Sequence, residues 1–101
     1  MYKFFEFSFE WDRAKAWSNY KKHKITFERA TTVFNDPKAL TIFDEGHSAS
    51  EDRWVTLGMD SGAVLITVSH AYQQEHGRTA QVRIISARKA SKNEINQYRE
   101  I

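Results

Sequence analysis

The second half of the chain carries four strand-like segments: "ALTIFD" (39–44), "RWVTLG" (53–58), "AVLITVSHAY" (63–72) and "AQVRIISA" (80–87). Period-two alternation with β-branched and aromatic residues marks each as a strand. A parallel connection needs a dozen or more residues, usually a helix. The spacers are too short for that: "MDSGA" reads as a hairpin turn and the polar "QQEHGRT" as a longer hairpin loop. Consecutive segments are therefore expected as antiparallel neighbours in one sheet.

The first half adds a strand and two helices. In "KFFEFSFEW", Phe5, Phe7, Phe9 and Trp11 share one face, opposite Phe4, Glu6, Ser8 and Glu10, which predicts a strand. Asp12 is a good N-cap for a helix over roughly 13–22. Trp17 and Tyr20 give that helix its expected apolar side, while Lys15, Asn19, Lys22 and His23 share the other. Thr26 caps a second helix, in which Phe27, Ala30, Thr31 and Phe34 follow i, i+3, i+4, i+7 spacing. Asp36-Pro37 marks a turn. Ser91 and Glu94 form a capping box for a last helix, with Ile95 and Tyr98 as its apolar contacts. The order β-α-α-β-β-β-β-α predicts an α+β fold: an antiparallel sheet of about five strands with helices packed on one face.

At 101 residues the chain fits one domain, 1–101. Seven Phe, three Trp and four Tyr supply its core. Cysteine is absent, which excludes disulfides and thiolate chemistry and fits a reducing cytoplasm. Runs such as "AVLITV" are too short to span a bilayer, and "MYKFFEFSFE" does not read as a signal peptide, so no membrane partner is expected. His23, His47, His70 and His76 make no metal-binding spacing; neither metal nor cofactor is expected. The net charge of +2 is mild, and its distribution says more. Acids gather in "DEGHSASED" (44–52), bases in "KKHK" (21–24) and "RKASK" (88–92).

"RIISARKASKNE" (83–94) concentrates the question. Arg83, Arg88 and Lys89 stand where a strand hands over to a helix, with no acidic residue before Glu94. Alternation puts Arg83 on the open face of the sheet, near Thr67 or Ser69. Cations do not stabilise a helix start, which already carries partial positive charge and unpaired N–H groups. An anion such as phosphate is a sensible partner. The plainer reading pairs Arg83 with a carboxylate on a neighbouring strand, and Arg88 with Glu94 or Glu51.

The blocks "FEWDRAKAWSNYKKHKITFERATTVFNDP", "EDRWVTLG" and "RIISARKASKNE", with a tyrosine shortly after, resemble the BrnT toxins over residues 7 to 98. The resemblance implies a fold similar to the RelE and ParE toxins. It also implies a ribonuclease that arrests growth by cutting RNA, within a bacterial type II toxin–antitoxin pair. A BrnA-type antitoxin is implied too, whose ribbon-helix-helix domain binds operator DNA. Arg13 and Lys24 stand where the family usually has proline and glycine. A left-handed helix stop at Lys24 costs roughly 1 kcal/mol.

Lys15, His23, Arg53, Arg83 and Arg88 match the family pattern and are carried over as functional candidates. Arg83, Arg88, Arg53 and His23 are assigned to catalysis; Lys15, Lys22, Lys24 and Lys89 to RNA binding. Metal-free RNA cleavage needs a base for the 2′-OH, fixed positive charge on the phosphate, and an acid for the leaving oxygen. Arginine suits the middle role. His23 is the best titratable group near neutral pH, and Glu51 a weaker choice. Alternatives are a ParE-like toxin acting on a protein target and a non-catalytic RNA- or DNA-binding co-repressor module. A basic face shared by substrate and antitoxin predicts inhibition by occlusion and a heterotetramer.

Overall fold

The computed structural model describes residues 6–100, the side chain of Gln74 excepted. The expectations for Phe4 and Phe5 lie outside the described residues. Strand β1 (Glu6–Glu10) leads into helix α1 (Arg13–His23) and the short helix α2 (Phe27–Thr31), which tightens into a 3-10 turn over Thr32–Asn35. Strands β2 (Leu40–Phe43), β3 (Trp54–Met59), β4 (Leu65–His76) and β5 (Thr79–Lys89) follow, then helix α3 (Lys92–Arg99).

The sheet order is β1-β5-β4-β3-β2. The four consecutive strands pair antiparallel, as their short spacers require. β1 pairs parallel with β5, so the sheet is mixed at one edge. Two helices and three other strands separate β1 from β5, and no turn constrains their relative direction.

The "QQEHGRT" loop is shorter than expected. β4 runs on to His76 and β5 begins at Thr79, leaving Gly77 and Arg78 as a two-residue turn. Gly77 takes φ +62, the conformation such a turn needs and glycine supplies cheaply.

Local signals set the helix ends. Asp12 accepts a hydrogen bond from the Lys15 N–H at 2.9 Å, and Thr26 one from Arg29 N–H at 3.1 Å. Lys24 ends α1 in the left-handed region at φ 61, its N–H bonded to the Tyr20 carbonyl. Ser91 and Glu94 form the expected reciprocal cap.

The core lies between one sheet face and α2 with its 3-10 extension. Phe27, Ala30 and Val33 meet Ile66, Val68, Val82, Ile84 and Ala87, with Phe7, Phe9, Trp11 and Phe34 packed around them. Gly58 permits this approach: an added Cβ would come within 3.2 Å of the Val33 and Ala39 Cβ atoms. α3 departs from the one-face arrangement. Its Glu94 bonds Thr67, whose side chain points away from the Ile66–Val68 core. The chain leaves the end of β5 within two residues of that side, and the capping box keeps Glu94 there.

α1 is oriented by Asn19 and not by its aromatic residues. β1 ends opposite Arg83, so the edge of β5 beyond it has no strand partner. Asn19 takes that place. Its amide nitrogen donates to the carbonyls of Ala87 (3.0 Å) and Ile25 (3.1 Å), and its oxygen accepts the Ala87 N–H (3.0 Å). Asn19 is 7% exposed, whereas Trp17 is 58% and Tyr20 39% exposed, so the expected apolar side of α1 faces solvent. Backbone groups of a strand edge demand partners more strongly than a tryptophan demands burial.

His70 is wholly buried beside Phe34 and Tyr72, with Nε2 2.7 Å from the Thr56 hydroxyl, which in turn lies 2.8 Å from that of Thr41. Burial lowers its pKa from 6.5 to about 4.

Asn19→Ala is expected to destabilise the fold by about 2–4 kcal/mol in urea denaturation, because it orphans three buried backbone groups. A loss below about 1 kcal/mol would show that α1 is held otherwise. For His70, the unfolded chain binds the proton first, so stability is full above pH 6.5 and falls as the pH drops towards 4. The loss approaches about 3 kcal/mol. His70→Gln should remove that dependence between pH 6.5 and 4, read by urea titrations across the range.

Candidate functional site

Strand alternation alone would put Arg83 and Arg88, five residues apart, on opposite faces. An irregularity in β5 brings them together. Ser69 pairs with Ser86 but His70 with Ile84, so Ile85 is an extra residue, a β-bulge. Arg83 thus lies opposite Ala71 and Arg88 opposite Thr67, both on the face turned away from α2. Lys89 pairs with Ile66 and belongs to the other face. The three cations do not converge: Lys89 parts from the arginines.

The expectation of uncompensated charge is overturned. Arg88 grips Glu94 with both guanidinium nitrogens, at 2.8 and 3.0 Å, and Arg83 is ion-paired with Glu51. Arg88 pairs with Glu94 as the plainer reading has it, whereas the carboxylate on Arg83 comes from a loop and not from a neighbouring strand. Glu94 returns because the capping box anchors its carboxylate at the Ser91 N–H, 2.8 Å away. Glu51 arrives from the acidic loop between β2 and β3. Ser48 folds that loop, accepting the Arg53 N–H at 3.0 Å and donating to the Asp44 carbonyl at 2.6 Å. His47 is exposed in the same loop and held 2.9 Å from Asp44.

Glu51 is the centre of the assembly. Arg53 Nε lies 3.7 Å from its carboxylate and has no hydrogen-bond partner among the described residues. The Arg83 hydrogen bond, chiefly, and the charges of Arg83, Arg53 and Lys15 hold the Glu51 carboxyl below its ordinary pKa. Two of the expected site residues, Arg53 and Arg83, therefore meet at one carboxylate, and the charge of Lys15 reaches it from farther off. Glu51 opens the block "EDRWVTLG", but nothing local pairs it with Arg83. Its role follows from a contact across 32 residues, and the only sequence signal is the complementarity of an acidic loop to a basic strand.

The remaining candidates are dispersed along α1. Lys22, seven residues beyond Lys15, shares its flank. His23 is half-buried in the last turn, roughly 12 Å along the helix from Lys15 at 1.5 Å per residue. Lys24 turns to the opposite flank, its ammonium 5.7 Å from the Tyr20 ring centre. Ser86 lies opposite Ser69, between the two arginines. Below Arg88, α3 is clasped to the end of β3. The Tyr98 hydroxyl donates to Asp36 at 2.6 Å, and the same carboxylate oxygen accepts the Met59 N–H. This bond pushes the Tyr98 pKa up to about 12. Among the described residues no group of three His, Cys, Asp or Glu side chains is placed to hold a metal ion.

Fold and site together define a small α+β protein whose open sheet face carries half-exposed arginine–carboxylate pairs, the kind of surface that can exchange its own carboxylates for another anion. A family model described as "Ribonuclease toxin, BrnT, of type II toxin-antitoxin system" matches residues 11–94, and the chain belongs to that family of ribonuclease toxins. The 1.1 Å crystal structure of the Brucella abortus ribonuclease toxin BrnT is similar to this chain with a TM-score of 0.58. The likeness covers 87% of this chain and 100% of that one at 21% identity, and so concerns the fold. No curated protein matches by sequence. Membership of a toxin–antitoxin family implies an antitoxin partner. No helix among the described residues is long and apolar enough to cross a membrane.

The Glu94 carboxyl is held at about 2, first by the Arg88 hydrogen bond and then by the Ser91 N–H and the Thr67 hydroxyl, against its partial burial. Its folded value is depressed, so its contribution is present above pH 4.5 and lost as the pH falls towards 2. Glu94→Gln is expected to lower stability at pH 7 by about 1 kcal/mol, after discounting for solvent screening, and to match the parent at pH 2 in acid-titrated thermal melts. Equal stability at both pH values would show the pair contributes nothing.

Proposed function

We propose that this chain is a metal-independent endoribonuclease toxin whose substrate phosphate docks against Arg83 and Arg53. The observation that carries the reading is the meeting of Arg53 and Arg83 at Glu51 on the open face, within reach of the charge of Lys15. An entering phosphodiester displaces the Glu51 carboxylate from Arg83, exchanging one charge-assisted pair for another. Guanidinium groups then stabilise charge as it builds on the phosphate. The released Glu51 takes the 2′-OH proton as the 2′ oxygen attacks phosphorus; the P–O5′ bond breaks, and the leaving 5′ oxygen takes a proton from the Lys15 ammonium or from water. Lys15, Lys22 and Arg88 extend the cationic track to neighbouring phosphates, and Lys24 and Lys89 contribute charge beyond it. His23 stands as the second candidate for proton transfer, at the far end of α1.

In this reading the protein works in the cytoplasm and binds a ribbon-helix-helix antitoxin of the BrnA type. Through the antitoxin it reaches operator DNA, as a heterotetramer of two toxins on one antitoxin dimer. The prior pairing of Arg83 and Arg88 with carboxylates favours a second reading, in which the surface only trades its own carboxylates for those of a protein. That reading covers a ParE-like toxin with a protein target and a non-catalytic co-repressor module. Incubation with bare RNA separates them from the nuclease.

Purified protein is expected to cleave RNA in the presence of EDTA. Arg83→Ala should lower the rate at least about a hundredfold and Glu51→Gln by about 10²–10⁴, with unchanged circular dichroism. With Glu51 as base, cleavage at limiting substrate, which reports the free enzyme, should hold as the pH is lowered through neutrality and fall only in the acid range, below the ordinary carboxylate value. Loss of cleavage in His23→Ala with none in Glu51→Gln would transfer the base to His23, and undiminished cleavage by both Arg83→Ala and Glu51→Gln would reject the site.

A further inference from the structure

The flank of α1 turned away from Lys15 bears a feature the nuclease reading does not use. Trp17 and Tyr20 stack there at 6.2 Å and 16°, largely in solvent. Between α1 and the start of α2 lies a groove of about 380 Å³, with Trp11 and Phe27 at its floor and the two exposed aromatics along its side. Isolated exposed apolar residues are ordinary, but a contiguous aromatic wall beside an apolar groove marks an interaction surface. Asn19 cannot release α1 to roll these rings inward without orphaning the edge of β5. The exposure is therefore built into the fold.

Charge narrows the occupant. Arg13 lines the groove, Lys21 lies 5.7 Å from the Trp17 ring centre and Lys24 5.7 Å from that of Tyr20. Glu28 is the one acid lining it. A polynucleotide would bring phosphates to the cations and bases to the exposed rings, but on the flank opposite Lys15 and Arg83, away from the proposed substrate face. A polypeptide carrying an apolar side chain between carboxylates satisfies both floor and rim. Stiff, pre-stacked aromatics lose little entropy on docking such a segment.

We infer that this groove is a docking site for the antitoxin, receiving an apolar anchor residue flanked by acidic ones. The identity of the partner rests on membership of the toxin–antitoxin family. The site is distinct from the Arg83 cluster, so the antitoxin grips both flanks of α1: one to hold, the other to occlude.

The test measures the affinity of the full-length toxin for its purified cognate antitoxin, and RNA cleavage without it, in Trp17→Ala and Lys21→Glu. Both are surface changes, and the second leaves the aromatic wall intact. Expected is at least a tenfold weaker affinity for Trp17→Ala, a smaller loss for Lys21→Glu, and unchanged cleavage for both. Unchanged affinity in both variants overturns the inference. So does loss of cleavage in folded Trp17→Ala, which would give the groove to RNA. A wild-type toxin that binds the antitoxin through Trp17 yet cleaves no RNA would keep the docking site and reject the nuclease reading.

Discussion

Much of this molecule's surface is arranged by one buried amide. β1 is five residues long and stops short of the end of β5, leaving backbone groups at Ala87 that need partners in a place water does not reach. Asn19 answers them with a donor and an acceptor, as a neighbouring strand would. Since Asn19 must face β5, the 100° step of the helix dictates the rest. Lys15 and Lys22 fall on the flank towards the open sheet face, while Arg13, Tyr20 and Lys24 fall on the other, with Trp17 outermost. A single satisfied polar contact thus separates the Lys15–Lys22 flank of α1 from its aromatic flank.

The arginines of the open face are neutral as pairs, and the proposed phosphate site builds on that. Half-exposed ion pairs contribute little to stability, so giving one up costs little when a phosphate replaces the carboxylate. An unpaired cluster of guanidinium groups would instead repel itself in the free protein. In the proposed mechanism Glu51 reconciles the two demands: it is paired with Arg83 before substrate enters and stands beside it once displaced. Glu94 differs. It is bound at once by Arg88, Ser91 and Thr67, and it ties α3 to the sheet as well as pairing charge.

What the sequence made legible was local. Strand alternation, the caps at Asp12, Thr26 and Ser91, and the left-handed stop at Lys24 depend on a few neighbouring residues, and all appear where expected. The orientation of α1 was not legible, because it depends on where β1 ends against a strand seventy residues later. Nor was the common face of Arg83 and Arg88, since one extra residue at Ile85 reverses the alternation beyond it. The parallel edge pair and the position of α3 are likewise set by distant contacts. Of the site, the cationic members could be named from the motif blocks. Glu51 could be named only as a weaker base and an alternative partner of Arg88; its pairing with Arg83 was not legible, for it sits in an irregular loop whose path Ser48 and Asp44 set.

The central claim is that α1 divides a substrate face from a partner face. Chemical-shift mapping with a non-cleavable, 2′-O-methylated oligoribonucleotide tests it directly. The account predicts shifts at the Arg53 and Arg83 Nε–H groups and around Lys15 and Glu51, with the Trp17 indole N–H unmoved. Shifts centred on Trp17 and Tyr20, with the arginines of the open face still locked to their carboxylates, would contradict it.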